Sequence, residues 1–273
     1  MLKWLCAIAL FLATLTPITA TQAQVTSNDV VVDGVTTQIR TYMSKDATEQ
    51  PVLVVALHGD APFSQPSYQY AFARLVAGEA SNTIAVGLLR PGYTDGEDRT
   101  SDGVRGATVG TNYDAPRIAQ VAAAIEQLKI HHGADKVIVA GHSGGSAITA
   151  KLIAAYPNLV DHAVIVSCPC DINPWREDMF ETTQYDGFKG DIDVVSPIDM
   201  VSSIADDISI ALFVGRDDQS TRPYLSQEYL ARLQEHGKTA ELTLLDGEHN
   251  VFLHPQIRAA IVATIREMNS QLP

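Results

Sequence analysis

Three residue types that together perform nucleophilic catalysis occur in this chain, each just after a predicted strand. Ser143 lies in Gly141-His142-Ser143-Gly144-Gly145, Asp218 closes Gly215-Arg216-Asp217-Asp218, and His249 follows Gly247-Glu248. A serine hydroxyl becomes an effective nucleophile only when an imidazole accepts its proton, and a carboxylate must hold that imidazole in one tautomer. The chain order of serine, acid and histidine predicts Ser143 as the nucleophile, an aspartate as the orienting acid, with Asp218 as one candidate, and His249 as the base.

The setting of Ser143 is the strongest of these signals. The apolar run 137–140 precedes the pentapeptide, and a helical stretch over 146–156 follows it. A G-x-S-x-G sequence between a strand and a helix is typical of a sharp turn that holds the serine in a strained conformation above the sheet. Gly144 then begins the helix, and its N–H is predicted to donate to an oxyanion. The alternative is a glycine-serine turn that serves packing alone.

Alternating strands and helices position these residues. A hairpin over 25–42, turning at Asp33-Gly34, precedes continuous apolar runs that are typical of buried parallel strands, at 52–57, 83–89, 137–140, 163–167, 208–214 and 240–245. Helical patterns separate these runs, around 70–80, 116–132, 146–156, 224–236 and 255–268. We therefore expect an α/β fold with a mostly parallel, doubly wound sheet, whose ligand site lies at the carboxyl ends of the strands.

A long, mostly polar segment over 168–207 follows the sixth predicted strand and contains Trp175, Phe180, Tyr185 and Phe188. Insertions of this length are usually functional, so we interpret it as lid-like and as one wall of a substrate pocket. The alternative is that Trp175 only anchors the segment to the body of the protein.

Two cysteines, Cys168 and Cys170, begin that segment. Export to an oxidising compartment would favour a bond between them, although residues two apart close a small ring. Two thiols packed at a strand end are the alternative.

Composition limits the classes of function. The chain has 273 residues, of which 46% are hydrophobic and 19% charged, a balance that suits one large core. Residues 1–23 have a basic start, an apolar stretch and small residues up to Ala20 and Ala23, the pattern of a secretory signal peptide rather than a membrane anchor. Its removal takes away Lys3 and no acid, so the net charge changes from −13 to −14. An acidic protein of this kind argues against nucleic acid or an anionic membrane as partner.

The sequence therefore predicts an exported protein, periplasmic or secreted, with a single domain over 24–273 and no membrane anchor in its mature form. The remaining histidines show no spacing that would gather metal ligands, and there is no H-E-x-x-H motif. We expect no metal and no cofactor.

Five motifs of the sequence, in their order along the chain, resemble those of the α/β-hydrolase superfamily. They comprise Leu57-His58-Gly59, Arg90-Pro91-Gly92-Tyr93, the Ser143 pentapeptide, 215–218 and 247–249. The resemblance covers the chain from Pro51 onward, and Ser196-Pro197 with a short helix over 198–204 is similar to the dienelactone-hydrolase and prolyl-oligopeptidase-like branches.

The resemblance implies roles for further residues. The family usually places its acid three residues after the strand-end glycine, which favours Asp218 over Asp217 and over Asp171; His249 could otherwise be a loop residue capping a helix. The backbone N–H of Asp60 would complete the oxyanion hole with that of Gly144, provided that the Asp60 carboxylate points away. We place His142, Tyr93 and Trp175 at the substrate pocket and regard His58 as structural.

The expected function is that of a serine hydrolase that cleaves carboxylic esters through an acyl-enzyme. Its substrate would be a small-molecule ester or a short peptide. One alternative is a serine peptidase of the prolyl-oligopeptidase type, although no propeller domain precedes the hydrolase motifs. Another is a non-catalytic binding protein on the same fold.

Overall fold

A computed structural model describes residues 23–61 and 64–271. The predicted signal peptide, 1–23, lies outside the described residues except for Ala23. Within the described ranges, none of the helices combines the length and the apolar character needed to span a bilayer.

Nine strands form one sheet, in the order β1-β2-β3-β5-β4-β6-β7-β8-β9. The strands β1, β2, β3 and β5 pair antiparallel in that order, and the six strands β4 to β9 pair parallel. Their bounds are β1 Gln24–Val25, β2 Asp29–Val32, β3 Val35–Met43, β4 Val52–Leu57, β5 Thr83–Leu88, β6 Lys136–His142, β7 His162–Val166, β8 Ser209–Gly215 and β9 Ala240–Leu245.

The described residues form six helices, and five of them cover the two faces of the sheet, as the continuous apolar strands require. The six helices are α1 Tyr68–Glu79, α2 Ala115–His132, α3 Gly144–Ala155, α4 Ile172–Thr183, α5 Pro223–Glu235 and α6 Pro255–Gln271, with 3₁₀ turns at Asp186–Phe188 and Pro197–Ser203. Successive side chains of a strand point to opposite faces, so Leu53, Val55 and Leu57 join one core with α2, α3 and α5, while Val52, Val54 and Ala56 join another with α1 and α6.

The predicted doubly wound, mostly parallel sheet is confirmed. The hairpin turn is present between β2 and β3, where Asp33 and Gly34 both have positive φ, 51° and 81°. The structure adds the two-residue strand β1, so the segment over 168–207 follows β7 rather than a sixth strand.

The segment over 168–207 contains a helix, α4, that the sequence pattern does not predict. Its polar character is explained by burial, because only Ile172, Trp175 and Arg176 of this helix are buried. The Arg176 side chain donates to the carbonyl oxygen of Val109 and to that of Gly187 at 3.0 Å. The segment thus packs against the loop before α2, and its interpretation as a lid stays a prediction.

Cys168 and Cys170 are joined in a disulfide, with their Cα atoms 5.1 Å apart. Of the two alternatives that the sequence left open, the structure contains the bonded form.

Candidate active site

Four loops at the carboxyl ends of parallel strands form the candidate site. Asp60 follows β4, Ser143 follows β6, Asp218 follows β8 and His249 follows β9. Since β4 pairs with β6 and β8 pairs with β9, these loops meet at one edge of the sheet.

The backbone of Ser143 is strained in the way that a nucleophile turn requires. Its φ is 53° and its ψ is −123°, and its hydroxyl does not cap α3. Glycine is needed two residues before and two residues after Ser143, because other backbone atoms lie too close for a side chain. A Cβ on Gly141 would collide with the carbonyl oxygen of Gly145, and a Cβ on Gly145 would collide with the carbonyl oxygen of His58. The turn therefore places the Ser143 hydroxyl at the end of the strand, where it makes no hydrogen bond to the residues that the structure describes.

Asp218 and His249 form a hydrogen-bonded pair. The Nδ1 atom of His249 lies 2.9 Å from Asp218 Oδ2 and 3.1 Å from Oδ1, and the aspartate is fully buried. The carboxylate also accepts from the backbone N–H of Ser220 at 2.9 Å and from Thr221, whose N–H and hydroxyl each lie at 2.8 Å.

These contacts determine the charge of Asp218 and the tautomer of His249. Burial alone would raise the pKa of Asp218, but the hydrogen bond and the charge interaction with His249, together with the Thr221 donors, hold this pKa below its ordinary value. The carboxylate is therefore ionised at neutral pH. Because it accepts from Nδ1–H, a neutral His249 keeps the lone pair of Nε2 free to take a proton.

The two alternative acids lie elsewhere. Asp217 has an exposed side chain, and its backbone N–H donates to the Gly247 carbonyl at 3.0 Å. Asp171 is hydrogen-bonded to the hydroxyl of Ser196 at 3.2 Å. In the described part of the chain, Asp218 is the aspartate that reaches the His249 ring.

Two backbone N–H groups are placed to act as oxyanion donors. Gly144 is the first residue of α3, where helix N–H groups lack intrahelical partners. The N–H of Asp60 takes part in no hydrogen bond among the described residues. Gly59, beside it, approaches the elbow so closely that an added Cβ would lie 2.8 Å from the Cβ of Ser143.

The Asp60 carboxylate does not point away from the elbow, which corrects the sequence expectation. A Cβ on Gly144 would lie 2.5 Å from Asp60 Oδ1. The negative charge is tolerated there because the nearly buried guanidinium of Arg90 pairs with it at 3.0 Å. Three further donors surround the carboxylate: Tyr93 OH at 3.1 Å, Asn112 Nδ2 at 2.9 Å and the hydroxyl of Tyr113.

His142 links the nucleophile turn to the loop of His249. Its Nε2 lies 2.9 Å from the His249 carbonyl oxygen and therefore carries the proton, which leaves Nδ1 to accept from the Tyr68 hydroxyl at 2.8 Å. The same hydroxyl accepts from the Gly59 N–H at 2.5 Å. Burial, followed by the charge of His249, lowers the pKa of His142 to about 3, so this histidine is neutral.

His58 is also neutral and structural in its contacts. The N–H of Arg90 donates to its Nε2 at 3.0 Å, so Nδ1 carries the proton and donates to the Gly59 carbonyl at 2.7 Å. Burial and the neighbouring Arg90 hold the pKa of His58 well below its ordinary range.

The three residues expected at a substrate pocket occupy different places. Tyr93 borders a cavity of about 210 Å³ next to Asp60, and His142 borders an apolar one of about 200 Å³ with Tyr68, Asn250, Phe252 and Leu253. Trp175 is only 5% exposed, and its indole N–H donates to the Ser220 carbonyl at 2.7 Å. The indole thus holds α4 against the loop of Asp218, and a role of Trp175 in a substrate pocket stays a prediction.

Several residues of the site were not singled out from the sequence. Thr221 had a usable signal, since it lies three residues after the acid in a turn. Tyr68, Asn112 and Tyr113 reach the site from distant parts of the chain and carry no local pattern. Within the described ranges, no group of three or more His, Cys, Asp or Glu side chains is placed to hold a metal ion.

Comparison with known proteins identifies the family. The Alpha/beta hydrolase family matches residues 54–197, a span from β4 to the start of the second 3₁₀ turn. The chain belongs to the alpha/beta hydrolase family. The predicted resemblance is therefore confirmed, and the Ser143 turn of this alpha/beta hydrolase lies within the matched span. No curated protein matches its sequence at a significant level.

Solved structures share its fold at low sequence identity. An esterase of Pyrococcus furiosus superposes with a TM-score of 0.64 at 16% identity, over 94% of this chain and 96% of that one. Est1E of Butyrivibrio proteoclasticus, solved with ferulic acid bound, gives 0.62 at 15% identity over 88% and 98%. An acylaminoacyl peptidase of Pyrococcus horikoshii gives 0.62 at 13% over 88% of this chain but only 40% of its own.

Proposed function

We propose that this alpha/beta hydrolase is a serine hydrolase that cleaves carboxylic esters through an acyl-enzyme. The observation that carries the proposal is the presence, at the same sheet edge, of a strained Ser143 turn and of the Asp218–His249 hydrogen bond. Both parts are needed, because the hydroxyl reacts only when a correctly oriented imidazole removes its proton.

In the first half-reaction, His249 Nε2 accepts the Ser143 proton as Oγ attacks the carbonyl carbon of the ester. The N–H groups of Asp60 and Gly144 donate to the developing oxyanion. His249 then gives its proton to the departing alcohol, which leaves an acyl group on Ser143. Water, activated by the same imidazole, releases the acid and restores the serine.

Ester substrates are favoured by the similarity of fold to proteins described as esterases, one of them solved with ferulic acid bound. The fold is equally similar to an acylaminoacyl peptidase, but this chain spans only two fifths of that protein. We therefore place ester cleavage ahead of peptide cleavage.

A panel of p-nitrophenyl esters of graded acyl length, assayed beside aminoacyl p-nitroanilides, tests this proposal. We expect ester hydrolysis, with a loss of about 10³-fold or more in kcat for Ser143→Ala. Hydrolysis of the anilides in preference to the esters would replace the esterase proposal with the peptidase. Undiminished turnover by Ser143→Ala would overturn the assignment of the nucleophile.

We also propose that the protein is exported, with residues 1–23 removed and 24–273 forming one domain. The support is the basic and then apolar pattern of the N-terminus. Intact mass of the protein recovered from its native host tests the proposal: a chain that starts near residue 21 or 24 supports it, and a full-length chain contradicts it.

A further inference from the structure

A small cavity adjoins the proposed nucleophile beside Asp60. Its volume is about 210 Å³, and its lining includes Asp60, Tyr93, Arg105, Thr108, Asn112 and Tyr185. The Asp60 carboxylate lies against Gly144, so the cavity begins next to the residue that follows Ser143. It is smaller than the 300 Å³ or so at which sites for drug-sized ligands begin, and therefore fits only a short group.

The two charged side chains in this cavity differ in how their charges are compensated. Asp60 is paired with Arg90, which is 1% exposed and sits 3.0 Å from the carboxylate. Arg105 donates to the carbonyl oxygen of Ala61 at 2.8 Å, and its guanidinium lies 4.3 Å from the centre of the Tyr93 ring. Among the described ion pairs, none joins Arg105 to a carboxylate. The cavity thus contains one uncompensated positive charge.

The way Arg105 is held leaves donors available. One carbonyl uses one of its five N–H groups, and stacking on Tyr93 restricts the orientation of the guanidinium plane. A planar guanidinium presents its N–H groups in pairs that match a carboxylate.

The position of the cavity indicates which part of a substrate it would hold. The departing alcohol must lie near His249, which protonates it, and the apolar cavity bordered by His142, Asn250 and Phe252 lies on that side. The cavity of Arg105 lies instead beside Asp60 and Gly144, the oxyanion donors. The acyl group of the substrate would therefore extend toward Arg105.

We propose that Arg105 is a specificity-determining residue that binds a carboxylate at the far end of the acyl group. The substrates would then be half-esters of short dicarboxylic acids. This inference rests on the proposed function, because it assumes that an ester is cleaved at Ser143.

A matched pair of esters tests the proposal. Monomethyl glutarate and methyl pentanoate have acyl chains of equal length and differ in the terminal carboxylate. With proton release followed in a pH-stat, the native protein should prefer the glutarate ester. Arg105→Gln should lower kcat/KM for that ester by at least about tenfold and for methyl pentanoate by less than about threefold.

Two further variants separate charge from structure. Arg105→Lys retains the charge without the planar fork and should keep part of the preference. Arg232→Gln removes the same charge from an exposed arginine that is already paired with Glu235, and should leave the preference unchanged. Equal losses on both esters in Arg105→Gln, or hydrolysis of both esters by the native protein without preference, would overturn the inference.

Binding to Ser143→Ala distinguishes this inference from the proposed function. Calorimetric titration of that variant with each ester needs no turnover. If neither ester is hydrolysed by the native protein but monomethyl glutarate binding requires Arg105, the proposed function is wrong while the role of Arg105 stands. If both esters are hydrolysed alike and binding ignores Arg105, the function stands and the role of Arg105 is wrong.

Discussion

Two carboxylates flank the Ser143 turn, and their charges are paired in different ways. Asp60 faces Arg90, whose charge is permanent, and accepts from two phenols and an amide. Asp218 faces His249, whose charge can change, and its other donors come from its own turn. A permanently paired carboxylate can shape a binding site, whereas one paired with an imidazole can stabilise a proton that arrives during turnover.

The largest effect should follow from changing the carboxylate beside the imidazole. Asp218→Asn should lower kcat by about 10³- to 10⁴-fold, because an amide supports the wrong tautomer of His249. The matched control is Asp217→Asn, whose exposed side chain should matter little. Steady-state kinetics on one p-nitrophenyl ester measure both, and a larger loss for Asp217→Asn would reverse the assignment.

Changing Asp60, the carboxylate paired with Arg90, should affect mainly the stability of the fold. Asp60→Asn leaves the buried Arg90 without its counter-charge, and we expect the free energy of unfolding to fall by about 3 to 5 kcal/mol. Urea unfolding measures this change, and Asp60→Asn/Arg90→Met should recover part of it. An unchanged unfolding midpoint in Asp60→Asn would contradict a stabilising role for the Asp60–Arg90 ion pair.

A neutral buried histidine accompanies each carboxylate: His58 beside Asp60, and His142 beside the Asp218–His249 pair. Burial lowers the pKa of His142 to about 3, against about 6.5 when unfolded. Between these values the unfolded chain binds more protons, so stability is complete above about pH 6.5 and declines as the pH falls toward 3.

Each such histidine should contribute a slope of at most about 1.4 kcal/mol per pH unit in that window. Urea unfolding at pH 7 and pH 5 measures the slope, and His142→Gln should reduce it by the share of one histidine. Equal stability of the native protein at the two pH values would contradict the buried, neutral state of both residues.

The smallest effect should follow from removing the Tyr68 hydroxyl, which lies between the Gly59 N–H and the His142 ring. Tyr68→Phe removes the acceptor of the Gly59 N–H and the donor to His142, so we expect kcat to fall by about tenfold. Tyr70→Phe is the control, because that hydroxyl donates to Asp95 at 2.9 Å instead. Similar kinetics for the two variants would show that the bridge does not position the site.

The sequence predicted the parts of this arrangement that depend on short patterns and on topology. Ser143, Asp218 and His249 each follow an apolar strand, and parallel strands bring their carboxyl ends to one edge. The helix α4 was not predicted because too few of its residues are buried to give an apolar period. The direction of the Asp60 carboxylate could not be predicted either, since Arg90 and Tyr113, which hold it, lie 30 and 53 residues away.

The central claim is that Ser143 is a nucleophile activated by His249. Treatment with a fluorophosphonate probe, followed by intact mass and peptide mapping, tests it most directly. We expect one adduct per chain, on Ser143, with none on Ser143→Ala and slow labelling of His249→Ala. An adduct on another residue, or one that persists in Ser143→Ala, would contradict the account.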